Sequence, residues 1–228
     1  MRRETSTVVV LVGEVGDGVL AELARSSNIS VARGPKTEAP PAGQQATEHQ
    51  GWEAGALAMR EAARRGSTYV IVPDDPLSEV AASWRAMWDV PGGQEGALEF
   101  EARASEALAA WRDRRFELPD YYLVMASAEP DGEDLYLGPL RAVRPRRVAV
   151  FAAAGGTGQA AQIADALRSL EHGPWWPPLD ELLDAARRFY PGGLAETQLG
   201  QFEPGGPSGT GPEIARRLAG PVPGSGSE

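Results

Sequence analysis

VAVFAAAGGTGQAAQIADAL, residues 148–167, carries the fold in miniature. Residues 148–153 are apolar on both faces, as a strand buried inside a parallel sheet must be. A turn of small residues follows, and an amphipathic helix is predicted over 159–170. Strand, glycine turn and helix in that order form half of a βαβ unit. The same order recurs upstream. TVVVLVG, residues 7–13, is a β-branched run that ends in the turn Glu14-Val15-Gly16-Asp17-Gly18. Val19, Leu20, Leu23 and Ala24 then return at helical spacing.

Between these two units the pattern continues. Strands are predicted at 29–32, 68–72 and 121–127. Helices are predicted at 52–65, 77–88 and 97–115, and a last one at 179–190 behind Pro177-Pro178. Leu98, Phe100, Leu108 and Trp111 are the apolar positions of the 97–115 helix, and Trp84 and Trp88 stand one turn apart for core packing. Leu135-Tyr136-Leu137 fits either a short helix or an edge strand. Alternating strands and helices argue an α/β fold: a three-layer, Rossmann-like sandwich with a mainly parallel sheet of about five strands.

Composition shifts set the boundaries. Residues 1–195 form the domain, and 34–50, rich in Pro, Gly and Gln, read as a mobile surface loop within it. Residues 196–228 are rich in Gly, Pro and Ser and read as a flexible C-terminal tail. Residues 212–219 have the make-up of a short helix. The plain reading is an accident of composition in a disordered tail; the sharper one is a docking peptide for a protein partner.

Several chemistries are excluded by what is missing. There is no cysteine, so no disulfide, thiolate metal site or cysteine nucleophile, and the reducing cytoplasm is the expected compartment. Lys36 is the sole lysine, so no G-x-x-x-x-G-K-[ST] loop and no scaffold lysine for a Schiff base exist. The formal charge of −10 disfavours nucleic acid. The apolar run at 8–12 is too short for a membrane span. Arg141, Arg144, Arg146 and Arg147 form one basic cluster, read as a solvated turn ahead of a strand or, more sharply, as a phosphate or acidic-partner contact. His49 and His172 are the two histidines, and no G-x-S-x-G elbow accompanies them.

In open parallel sheets ligands bind beyond the carboxyl ends of the strands. The residues predicted there fall into two groups. Gly16, Gly18, Gly155, Gly156, Thr157 and Gly158 lie in the two glycine turns, whose backbone N–H groups suit a phosphate. Glu14, Asp17, Asp74, Asp75 and Glu129 are carboxylates suited to a divalent cation such as Mg²⁺. Each group has an ordinary structural use as well: glycine for tight turns, acids for capping helix N-termini. Gly155-Gly156-Thr157-Gly158-Gln159-Ala160 resembles the turn of short-chain-reductase-like nucleotide-binding proteins. That resemblance implies a nucleotide cofactor, although here the turn follows the last strand rather than the first. Glu14 with Asp74-Asp75 loosely resembles the acidic set of topoisomerase–primase metal domains, where the paired acids are spaced by one residue.

The expected function is a small accessory or sensor protein. It would bind a nucleotide-like or other phosphorylated ligand, with or without Mg²⁺, at the C-terminal edge of the sheet, without an identifiable catalytic group. Two other readings stay open: a scaffold that works through its tail, and a Mg²⁺-dependent phosphohydrolase or phosphotransferase.

Overall fold

The computed structural model describes residues 6–34, 57–58, 61, 66–89, 94–126, 133–152 and 158–189. All of them belong to one compact unit, Met1–Leu194. The predicted mobile loop at 34–50 (apart from Gly34), most of the 52–65 helix and the tail with its 212–219 segment lie outside the described residues.

The five expected strands form one all-parallel sheet: β1 (Thr7–Val12), β2 (Ile29–Val31), β3 (Tyr69–Val72), β4 (Tyr121–Ala126) and β5 (Val148–Ala152). Their order is β2-β3-β1-β4-β5, with β1 at the centre. The alternation of β1 explains its place. Val8, Val10 and Val12 face one layer and Val9 and Leu11 the other, and all five are buried. Asp120 sets the register at the amino end of the sheet. Its carboxylate accepts the Val8 N–H at 2.7 Å, and its own N–H donates to the Val8 carbonyl at 2.8 Å.

One face is covered by α1 (Asp17–Leu23) and α5 (Gln159–Arg168), which meet the sheet through Leu20, Leu23, Ile163 and Leu167. The other face holds α2 (Ser78–Asp89), α3 (Gln94–Arg112), the short α4 (Arg141–Val143) with the π turn before it, and α6 (Leu179–Arg188). Moves toward β2 pass over the first face. Moves toward β5 pass over the second, including the β2-to-β3 link, where Ala58 is buried among the second-face residues. All crossovers therefore share one hand.

Trp84 is fully buried and donates from its indole to the Ala186 carbonyl at 2.9 Å, while Trp88 packs edge-on to it at 6.2 Å. The core role expected of this pair is observed. α3 begins three residues earlier than predicted and buries Phe100, Ala104, Ala107 and Ala110; Leu98 is 71% exposed instead of packed. Small alanines form that seam because α2 and α3 cross closely. A Cβ on Gly96 would lie 2.9 Å from both the Ala86 carbonyl oxygen and the Met87 Cα. Gly96→Ala therefore sets two effects against each other. Helix propensity favours alanine by about 1 kcal/mol, while forcing two backbones apart costs about 1–3 kcal/mol. Net destabilisation, read as a lower urea midpoint, is expected; a gain in stability would show that the crossing is looser than described.

The segment left open between helix and edge strand is helical. Tyr136–Leu140 forms a π turn that leads into α4, and its five residues are all buried. Pro139 has no N–H to give and its ring crowds the preceding turn, and the wider turn accommodates both. Gly138 fits beneath the Phe189 ring, which would stand 2.7 Å from an added Cβ. No described helix is long and apolar enough to cross a membrane.

Candidate functional site at the carboxyl edge of the sheet

The topology names the place. The chain leaves β1 toward β2 over the α1 face and leaves β4 toward β5 over the opposite face. β1 and β4 stay paired to their carboxyl ends, and it is the connections leaving them that part to opposite faces, the arrangement that places a crevice at this edge in open α/β sheets.

Gly13 starts the turn after β1 with φ +103°, a conformation that other residues rarely adopt. A side chain there would also stand 3.1 Å from Met125 Cβ and 3.3 Å from a Glu133 carboxylate oxygen. On the far side of Met125 lies the start of α5, where the Gln159 amide donates to the Met125 sulfur at 2.8 Å. The β1 turn and the first turn of α5 therefore flank one side chain of β4. Gly16 caps α1, and Gly158, at φ +143°, caps α5; neither helix start receives a side-chain hydrogen bond. Gly18 lies inside α1, with open space where a Cβ would be, as it is at Gly16 and Gly158. Gly155, Gly156 and Thr157 lie outside the described residues.

Gly13 and Gly18 also have the two-glycine spacing of a phosphate-binding loop, with Val19 and Leu20 where lysine and a hydroxyl residue would stand. Leu20 is buried against α5 and Val19 packs beside it. These positions serve the core and offer neither an ammonium group nor a Mg²⁺-binding hydroxyl. A groove of about 470 Å³ runs from Asp17 along Leu20 and Ala21 of α1 and Ala24 just past its end to Val31 and Arg33.

The acidic residues have separate partners. Glu14 is exposed. Asp17 pairs with Arg33 at 2.7 Å, and Asp74 accepts the Gly34 N–H at 2.8 Å. Asp75 is buried. It accepts the Leu77 N–H at 3.1 Å, the Tyr122 hydroxyl at 3.5 Å and the Tyr136 hydroxyl. Burial pushes its carboxyl up to about 6, against the opposing pull of those three donors. Among the described residues no three acids or histidines gather as a metal-holding set. Glu129 lies outside them.

Glu133 and Asp134, both buried, were not legible as site residues, nor were Met125, Tyr122 and Tyr136. Asp134 pairs with Arg85 of α2. The one available signal was two acids set directly before the apolar Leu135-Tyr136-Leu137.

The basic cluster belongs to the other end of the sheet. Arg147 lies against the rings of Tyr121 and Trp175 at 4.9 and 5.0 Å. It donates to the carbonyls of Asp120 (3.1 Å), Gly173 (2.7 Å) and Pro174 (3.0 Å). Arg144 donates to the Trp175 carbonyl at 2.6 Å and Arg146 to that of His172 at 3.2 Å. Three arginines thus clasp residues 172–175. The turn ahead of a strand read from the sequence is present, Pro145–Arg147 before β5 with Arg146 exposed, and it also holds the 172–175 segment. No protein-family model matches the chain, and no curated protein matches it.

Proposed function

We propose that this protein is a non-catalytic module that binds a nucleotide-like or other phosphorylated ligand in the crevice between β1 and β4. The observation that carries the reading is the convergence of the β1 turn and the α5 start on Met125. A phosphate there would meet the amino-terminal N–H groups of a ten-residue helix that no side chain caps. Asp17, Asp74, Asp75 and Asp134 of this edge are engaged by protein donors, and Glu133, whose carboxylate lies against the Gly13 turn, is the acid nearest to a phosphate there. Val19 and Leu20, in place of lysine and a hydroxyl residue, favour binding over phosphoryl transfer.

The test is a melting scan, by tryptophan fluorescence, against ATP, ADP, NAD and cyclic AMP, each with and without Mg²⁺. A ligand at about 100-fold its Kd adds roughly 2.7 kcal/mol, or about 5–10 °C for a domain of this size. Gln159→Glu is the matched variant. An acid in the first turn suits the helix dipole, so folding is expected to change by less than about 1 kcal/mol. The same charge repels a phosphate, so the ligand shift is expected to vanish. A flat panel, or an equal shift in Gln159→Glu, would overturn the reading.

A further inference from the structure

Three elements meet on the Asp75 carboxyl group: the turn after β3, strand β4 through Tyr122, and the π turn through Tyr136. The two tyrosine rings lie 5.0 Å apart, and both are buried. The π turn begins three residues after Glu133, whose carbonyl accepts the N–H groups of Tyr136 and Leu137 at 3.0 Å and whose carboxylate lies against the Gly13 turn. A chain of contacts therefore runs from Asp75 through Tyr136 and Glu133 to the candidate crevice. Of the other charged groups nearby, Arg85 of α2 pairs with Asp134 and Asp74 accepts the Gly34 N–H, while Glu133 and Arg141 are the further charged groups of the 133–143 segment.

We propose that Asp75, Tyr122 and Tyr136 form a proton-operated latch, closed when Asp75 is protonated, that holds the segment 133–143 against the crevice. Burial favours the neutral acid in the closed form, where its pKa is about 6 against an ordinary 3.8. In an opened form, where water reaches the carboxyl group, the ordinary value returns. Opening releases the Asp75 proton to solvent across that window, and both tyrosines, raised well above their usual range by burial, stay neutral. Opening therefore becomes easier as pH rises from about 4 to 6 and levels off above, a span of roughly a hundredfold.

Amide hydrogen exchange on the whole chain between pH 4 and 7, corrected for the intrinsic rates, reads this directly. In the native protein, amides of 133–143 are expected to show the rise, while those of α5, across the sheet, do not follow it. Asp75→Asn is expected to abolish the pH dependence. Tyr136→Phe removes a donor that lowers the Asp75 pKa, so its midpoint is expected to move upward. The latch is overturned by a pH dependence that survives in Asp75→Asn, by an unmoved midpoint in Tyr136→Phe, or by α5 amides that rise in step with 133–143. If Asp75→Asn does not fold, the Tyr136→Phe midpoint and the α5 comparison decide.

Discussion

Trp84→Ala is expected to lower stability by about 4–5 kcal/mol. Removing a fully buried tryptophan side chain costs about 3–5 kcal/mol through lost burial and the cavity left behind. The Ala186 carbonyl then also loses its indole donor. Trp88 and Phe189, with rings 6.2 and 6.3 Å away, lose their packing partner. For a domain of this size the melting temperature should fall by about 10–20 °C. Trp84→Phe keeps most of the volume and loses only the indole donor and one ring, so roughly half that loss is expected. Urea unfolding measures both. A cost below about 1 kcal/mol for the alanine variant would mean that α2 and α6 do not share this core.

Arg147→Ala is expected to cost about 2–3 kcal/mol, a large effect for a partly exposed arginine. The guanidinium serves three backbone carbonyls from two distant stretches and lies against two aromatic rings. Hydrogen bonds from a charged donor contribute about 1.5–3 kcal/mol before solvent screening, and each ring contact adds about 0.5–1 kcal/mol. Lysine cannot replace it, since a point charge cannot reach three carbonyls in a fan, so Arg147→Lys should lose most of the same stability. Phosphate-ligand binding should stay unchanged in both variants, because the clasp sits at the amino end of the sheet. Weaker ligand binding with native stability would return the cluster to the role of a phosphate contact.

The sequence made legible whatever rests on local pattern. The β-branched run at 7–13 could be read as a central strand because both its faces are apolar, and each strand was placed within about a residue of its observed ends. Two glycine turns pointed to the carboxyl edge before any strand order was known. Contacts between distant residues were not legible. Arg147 finds its partners at positions 120–121 and 173–175, and most of them are backbone carbonyls that any residue type would supply. Asp75 reads locally as a helix cap, and its bond to the Leu77 N–H is of that kind. What sets it apart is the pair of tyrosines 47 and 61 residues away. Leu98 misled because its residue type promised burial, whereas alanines line the close crossing near Gly96. The β1 turn shows the opposite case. Its two-glycine spacing was visible, but the core roles of Val19 and Leu20 emerge only from the packing of α1 on α5.

The proposed binding of a phosphorylated ligand at the carboxyl edge between β1 and β4 is open to direct test. Amide chemical-shift mapping during titration with ADP, free of Mg²⁺, tests it most directly. The largest shifts are expected on Gly13, Gly16, Gly18 and the first turn of α5 from Gly158, and they are expected to vanish in Gln159→Glu. Shifts confined to Arg144–Arg147, or none at saturating ADP, ATP and NAD, would contradict it.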